Sequence, residues 1–373
     1  MRRLRVCQLI TTLGVAGAER GVYELSRRLD RARFDVHVVA LQGGPVEEWL
    51  AAAGIPTTVL GLRGKWDIPR ALRLAGVLRR VRPDILHTHL FHADLAGRPA
   101  AWAARVPHLV HTVWTAEGRY RPWQFAYARL LKQSCNRVIC VSRSVHDHHA
   151  GKSKLPDDAY IVIPWGVDVE KFRRDEASRQ RLRSAWQLAD DDVLLAFVGR
   201  LEFYKGVETL LAALGQLASG GRGVRAVIAG DGPRRQVVEE FIAHGPGGGL
   251  VRMLGMVSDV PAVLSAADIY VMPSLWEGWP LALGEAMSAS LPAIGANVPG
   301  IRDLIVPEQT GLLVERQNAD ALASAIALLV ADGPMRARLG EAGRRRIVDQ
   351  FTIEQTVAAH ERLYDEIAGH RRQ

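Results

Sequence analysis

The sequence predicts an α/β protein of two doubly wound halves facing each other across a cleft. Three observations carry that prediction. The chain has 373 residues, of which 48% are hydrophobic, enough for two domains of ordinary size, each with its own core. Short apolar runs alternate with amphipathic stretches along the first half, the pattern of a parallel sheet covered by helices on both faces. After a charged, strandless stretch, Asp175–Asp191, the same alternation begins again.

In order along the first half, the apolar runs predict strands at Leu4–Ile10, Asp35–Leu41, Thr57–Leu60, Asp84–Thr88, Leu109–Val113, Arg137–Ser142 and Ile161–Pro164. Ala18, Val22, Leu25 and Leu29 recur at helical spacing between the first two. A further helix is expected with Asp67 as N-cap, Pro69 in its first turn, and Leu72, Ala75 and Leu78 on its buried face. In the second half, strands are predicted at Val193–Val198, Ala226–Ala229, Val251–Leu254, Ile269–Met272, Pro292–Ile294 and Leu312–Val314. Val207, Leu210, Leu211, Leu214 and Leu217 form a helical stripe after the first of these. The chain closes in helical sequence. The junction falls near Pro164–Asp168, giving an N-terminal domain 1–164 and a C-terminal domain 165–352. The last helix, 353–373, is free to pack back on the first domain.

Composition narrows the function. The formal net charge of +8 favours anionic partners. No DNA- or RNA-binding motif accompanies it, so nucleic acid is not expected. No apolar run is long enough to span a bilayer. The basic start, Met1 to Val6, runs into Gly14 and Gly17 and reads as a first strand and turn rather than a signal peptide. The cysteines, Cys7, Cys135 and Cys140, have no zinc or disulfide spacing, which fits a reducing cytoplasm.

The chemistry is concentrated in three turns of the second half. Glu277 and Glu285 lie in the run Pro273-Ser274-Leu275-Trp276-Glu277-Gly278-Trp279-Pro280-Leu281-Ala282-Leu283-Gly284-Glu285. A strand leads into a Glu-Gly turn, and Pro280 opens a helix. Such a turn sets free N–H groups and a positive dipole end at the carboxyl edge of a sheet, where anions bind. The N–H groups of Gly278, Trp279 and Leu281 are the backbone donors expected there. After the first strand, Gly199-Arg200-Leu201-Glu202-Phe203-Tyr204-Lys205-Gly206 carries two cations suited to phosphate oxygens, Arg200 as a planar fork and Lys205 as a mobile point charge. Gly230-Asp231-Gly232-Pro233 supplies a tight turn after the next strand. In the first half, Gly14-Val15-Ala16-Gly17-Ala18-Glu19 joins strand to helix. Gly17 allows close backbone approach there. It is not Gly-x-Gly-x-x-Gly, which argues against a dinucleotide-dependent dehydrogenase.

Taken jointly, these motifs resemble those of the retaining glycosyltransferases of family 4, which have the two-domain GT-B fold. The Glu277–Glu285 run is similar to their E-x7-E motif, Gly199–Gly206 to their G-R-L-x-x-x-K-G motif, and Gly230–Pro233 to their G-D-G-P turn. The resemblance implies that Arg200 and Lys205 hold the donor diphosphate, that Glu277 holds hydroxyls of the donor sugar, and that Glu285 holds the ribose. It implies transfer from a nucleotide-diphosphate sugar, as co-substrate, to a saccharide or lipid-linked saccharide in cell-envelope or exopolysaccharide synthesis. No other cofactor is expected. Arg200, Lys205 and the helix end take the place of a metal ion.

Two positions depart from the family. Where a Thr-x-His is common after the fifth strand, the run is His111-Thr112-Val113-Trp114. His89, His111 and Trp114 are therefore expected near the cleft by position alone. The usual Pro-Asn-Gly-Val-Asp at the junction reads Pro164-Trp165-Gly166-Val167-Asp168. His87-Thr88-His89 offers two metal-ligand side chains but no evident third, and Asp190-Asp191-Asp192 reads as a charged turn. A nucleotide-sugar epimerase and a non-catalytic nucleotide-sugar-binding protein are the alternative readings. Finally, Glu117–Lys132 mixes aromatics with Arg119, Arg121, Arg129 and Lys132 on the acceptor side. That mixture suggests peripheral attachment to an anionic membrane face, with Phe125, Leu130 and Leu131 as ordinary core residues in the competing view.

Overall fold

The structure is a computed structural model and describes residues 2–62, 67–115, 120–218 and 223–369. Of the membrane-facing run expected from sequence, Glu117, Gly118 and Arg119 lie outside the described residues. The chain divides into two compact units, Met1–Trp165 with Glu354–Gln373, and Gly166–Ile353.

The first unit is built on a seven-stranded sheet in the order β3-β2-β1-β4-β5-β6-β7. Its strands are β1 (Leu4–Ile10), β2 (Phe34–Ala40), β3 (Thr57–Val59), β4 (Ile85–His89), β5 (His108–Val113), β6 (Arg137–Cys140) and β7 (Tyr160–Val162), all paired in parallel. The helices between them are α1 (Gly17–Arg28), α2 (Val46–Ala52), α3 (Ile68–Val81), α4 (Phe91–Ala104), α5 (Pro122–Leu130) and α6 (Arg143–Ser153). The predicted stripe on α1 is buried throughout: Ala18, Val22, Leu25 and Leu29 all face the core.

The stripe on α3 differs from expectation. Leu72 is 72% exposed, whereas Leu74 and Leu78 are buried. At about 100° per residue, positions three apart drift steadily around a helix, whereas a pair four apart stays within about 40°. The Leu74–Leu78 pair therefore sets the inward face, and Leu72 is left on the other side.

The second unit holds a six-stranded parallel sheet in the order β10-β9-β8-β11-β12-β13. The strands are β8 (Val193–Val198), β9 (Val224–Ala229), β10 (Val251–Gly255), β11 (Ile269–Met272), β12 (Ala293–Ala296) and β13 (Gly311–Val314). Its helices are α7 (Glu176–Ala185), α8 (Val207–Leu217), α9 (Arg235–His244), α10 (Val260–Ala266), α11 (Leu281–Ser288), α12 (Pro299–Leu304), α13 (Ala319–Ala331) and α14 (Gly333–Gln350). Its core is a continuous cluster that includes Leu195, Phe197, Leu210, Leu214, Ile228, Ile269, Val271, Ile294 and Ile326. The last helix, α15 (Ile353–Ile367), lies almost wholly in the first unit. There Arg33 pairs with Glu361 at 2.7 Å and also with Asp365.

Each sheet changes winding direction once. In the first unit β1 lies between β2 and β4; in the second, β8 lies between β9 and β11. Connections leave the two central strands in opposite senses, so a crevice opens beyond their carboxyl ends. Ligands of doubly wound sheets bind in such crevices.

Candidate active site

In the second unit the crevice lies between β8 and β11, which pair through Leu195–Ile269 and Ala196–Tyr270. The loop after β8 carries Arg200 and Lys205; the loop after β11 carries Glu277. Lys205 Nζ lies 2.6 Å from Glu277 Oε1, with both side chains largely buried. Residues far apart in sequence thus meet as an ion pair at the switch point.

The two loops are stitched together beneath that pair. Leu275 N–H donates to the Tyr204 carbonyl at 2.7 Å. The Tyr204 ring stacks on Trp276 at 5.2 Å, and the Lys205 ammonium sits 5.3 Å from the centre of the Tyr204 ring. Gly206 has φ +67°, and a Cβ there would fall 2.1 Å from the Pro273 carbonyl oxygen. Only glycine meets both demands, so Gly206 sets how closely the cationic loop approaches the glutamate loop.

The Gly230–Pro233 turn braces the same loop from the other side. Leu201 N–H donates to the Asp231 carbonyl at 2.9 Å, and Arg234 N–H to the Leu201 carbonyl at 2.8 Å. Arg200 extends outward, with 55% of its side chain exposed, and pairs with Glu202 at 2.7 Å. Of the two predicted cations, Lys205 is held in place and Arg200 faces solvent.

Glu285 is buried in α11. Tyr270, on β11, donates its hydroxyl hydrogen to the Val198 carbonyl at 3.2 Å. Burial pushes this phenol well above its ordinary value, and the negative charges of Glu285 and Glu277 push it further. Both glutamates of the E-x7-E run therefore act on one buried ring at the strand end. Trp279 packs edge-on against Phe351 with ring centres 5.0 Å apart. Ser274 Oγ, Trp276 Nε1 and Trp279 Nε1 are buried without a hydrogen-bond partner among the described residues. Buried polar atoms are rarely left unpaired, so these three donors are available to a polar partner. Sequence reasoning missed Ser274 and Trp276, and it missed Gly300. At Gly300 a Cβ would lie 2.7 Å from the Glu277 carbonyl oxygen and 2.8 Å from that of Gly278, so the start of α12 fixes the Glu-Gly turn from behind. The Pro299-Gly300 dipeptide was the signal available for it.

In the first unit, Gly17 opens α1 after the β1 loop, and His89 ends β4 at the crevice edge. Leu90, directly after His89, has φ 69° and ψ 155°, a region that only glycine visits readily. His89, His111 and Trp114 are all buried. Trp114 Nε1–H donates to His89 Nδ1 at 3.4 Å, which leaves the proton on Nε2 to donate to Gln8 Oε1 at 2.7 Å. Gln8 Nε2 donates to Tyr364 Oη at 3.2 Å, and that hydroxyl lies 2.6 Å from His87 Nδ1. His87 Nε2 in turn lies 2.6 Å from Thr112 Oγ1. The ring nitrogens of His87 and His89 are thus engaged by protein groups.

Burial lowers the pKa of both histidines well below its ordinary value, and neighbouring histidines add to the effect. His111 is lowered by burial, with nearby Asp94 opposing. The two departures from the family pattern touch each other: the Trp114 and Trp165 rings are 4.8 Å apart. Gly21 makes room for them, since a Cβ there would fall 2.3 Å from Trp114 Cη2. Asp190 and Asp191 are exposed in a turn. Asp192 is buried and accepts from Ala189 N–H at 2.9 Å, a structural role.

Comparison with known proteins places this geometry. The model of Glycosyltransferase Family 4 matches residues 15–171, and that of Glycosyl transferases group 1 matches residues 178–346. The UDP-Gal:alpha-D-GlcNAc-diphosphoundecaprenol alpha-1,3-galactosyltransferase of Escherichia coli is 27% identical over 372 residues, 94% of each chain. The capsular polysaccharide biosynthesis glycosyltransferase CapM of Staphylococcus aureus is 23% identical over 369 residues, 95% of each chain. Among solved structures, Anabaena Alr3699/HepE in complex with UDP superposes with a TM-score of 0.87 at 19% identity, covering 97% of this chain and 100% of that one. The architecture is that of the GT-B glycosyltransferases. The chain belongs to the group 1/family 4 glycosyltransferases.

Proposed function

We propose that this glycosyltransferase moves a sugar, with retention at the anomeric carbon, from a nucleotide-diphosphate sugar to a saccharide or lipid-linked saccharide of a cell-envelope or exopolysaccharide glycan. The observation that carries the reading is the Lys205–Glu277 pair at 2.6 Å across the β8/β11 switch point. In this reading Lys205 exchanges Glu277 for the donor diphosphate, and Glu277, once released, accepts hydroxyl hydrogens of the sugar. Arg200, already outside, swings onto the phosphates. The N–H groups of Gly278, Trp279 and Leu281 complete the phosphate site. Glu285 takes the ribose.

The bond that breaks joins the anomeric carbon to the diphosphate. Negative charge grows on the departing phosphate, so prepositioned cations and N–H groups lower the barrier most. They supply the charge a divalent metal would supply. The E. coli relative's acceptor, a diphosphoundecaprenol-linked sugar, supports a lipid-linked acceptor for this chain, and such an acceptor would bring the enzyme to a membrane surface. In this reading Gly17, at the start of α1, allows close backbone approach to the diphosphate and acceptor. The test is a panel of nucleotide-diphosphate sugars offered with and without lipid-linked acceptors, with product configuration read by NMR. Transfer with inversion, or none from any donor, would overturn the proposal.

A further inference from the structure

The water-facing side of a helix on a parallel sheet is ordinarily polar. Two neighbouring helices of the first unit break that rule. On α4, Leu95, Pro99 and Trp102 are exposed, one above another at helical spacing, and Trp102 is 84% exposed. On α5, Trp123, Ala126 and Leu130 do the same, with Trp123 50% and Leu130 82% exposed.

The helices lie side by side. The Phe91 ring packs on Trp123 at 5.1 Å, Tyr127 Oη donates to the Asp94 carbonyl at 3.4 Å, and Arg98 Nη1 donates to the Leu131 carbonyl at 2.9 Å. Pairing of 91 with 123, 94 with 127 and 98 with 131 means the helices run in the same direction. Their apolar stripes therefore form one face. Arg98 cannot supply the missing polarity, because it is buried against Asp94 at 2.8 Å.

Charge names the partner, because the exposed charges around the stripes are cations. Arg105, Arg121, Arg129 and Lys132 are exposed around the stripes, and among the described residues none of them makes an ion pair. Tryptophan beside arginine on an amphipathic helix face fits the headgroup layer of an anionic membrane. A second copy of this chain does not fit, because a two-fold contact would set each of these cations against its own kind.

We infer that the α4–α5 face is the docking surface of this enzyme on an anionic lipid bilayer, with Trp102, Trp123 and Leu130 entering the headgroup region. The face reaches the catalytic edge of the first unit through Phe91, two residues after His89. A lipid-linked acceptor held in the same bilayer would arrive there. The inference deepens the lipid-linked reading above and rests on it for its purpose, but not for its test.

The test uses the full chain with vesicles of phosphatidylglycerol and phosphatidylcholine, and vesicles of phosphatidylcholine alone. Wild type should co-sediment with the anionic vesicles at low salt and be released by salt. Brominated lipid should quench tryptophan fluorescence. Trp102→Ala/Trp123→Ala should remove most of that quenching and weaken binding at least tenfold. Arg129→Ala/Lys132→Ala should weaken it about 25-fold, roughly fivefold for each charge. These side chains are on the surface and outside the donor site, so donor hydrolysis should be unchanged. Wild type staying in the supernatant would overturn the inference. So would variants that bind as wild type does, or a wild-type dimer that Trp102→Ala/Trp123→Ala converts to a monomer with no vesicle binding. A chain that docks on vesicles but transfers from no nucleotide sugar would instead sink the enzymatic proposal and leave the surface standing.

Discussion

Acid should loosen the first unit before it damages the donor site. His87, His89 and His360 form a buried cluster, with ring centres 4.1 Å apart for His87–His89 and 5.8 Å for His87–His360. Their partners are Tyr364, Thr112, Gln8, Trp114 and the Thr356 carbonyl, and among the described residues no carboxylate pairs with them. His111 differs, because Asp94 at 3.6 Å opposes the effect of burial there. Burial lowers all three, His360 to about 4. Each is therefore neutral when folded and charged when unfolded as pH falls below the ordinary value of about 6.5. The unfolded chain then binds more protons, so stability is fully present above about pH 6.5 and drains away below it. At about pH 5.5 each histidine costs on the order of 1 kcal/mol, and the three together a few kcal/mol. That is a large share of a typical stability of about 5–15 kcal/mol. Urea-unfolding midpoints followed by tryptophan fluorescence between about pH 8 and 5.5 would measure it. His360→Gln keeps a donor toward Thr356 but does not titrate, so it should reduce the proton uptake by about one. A midpoint independent of pH, or an unchanged proton uptake in His360→Gln, would refute the reasoning.

Other outcomes follow from the same geometry. Gly206→Ala should destabilise the second unit by at least about 1–2 kcal/mol, the cost of a left-handed backbone for an L-residue, and should also weaken donor binding by pushing the two loops apart. Wild-type donor affinity and melting temperature in that variant would contradict the stitched-loop account. Glu285→Gln should raise the donor KM with little effect on kcat, because a ribose contact is present before and during transfer. Glu277→Gln should lower kcat as well; the reverse pattern would exchange the two roles. Activity should survive EDTA, and its full loss with rescue by Mn²⁺ or Mg²⁺ would reject the view that side-chain cations and a helix end suffice.

The sheets were legible in the sequence because parallel, doubly covered strands are nearly continuous apolar runs. Leu4–Ile10, Val193–Val198 and Ile269–Met272 begin and end where predicted, and most other strands shift by a residue or two. The phase of α3 was not legible: Leu72, Leu74 and Leu78 are chemically alike, and only packing separates them. The motif loops could be located, but their contact could not, since the Lys205–Glu277 pair spans 72 positions. The histidine network was the least visible. It joins Gln8, His87 and Tyr364 across as many as 356 positions. Two hints existed: His87 and His89 share one face of a central strand, and His360 and Tyr364 lie four apart on one face of a helix. Neither points to the other without the fold. Trp114 and Trp165 each stood out as a departure from the family, and only the structure brings them into contact.

In the proposed mechanism the switch-point cation, Lys205, acts on the departing diphosphate. Steady-state transfer from the preferred nucleotide-diphosphate sugar by Lys205→Ala, beside wild type and with thermal unfolding as a check on the fold, tests it most directly. In a Lys205→Ala protein that still folds, kcat should be lower by about 10²–10³, the range for losing one donor aimed at transition-state charge, and the melting temperature should fall somewhat because Glu277 loses its buried partner. A folded Lys205→Ala enzyme with wild-type kcat would contradict the mechanism.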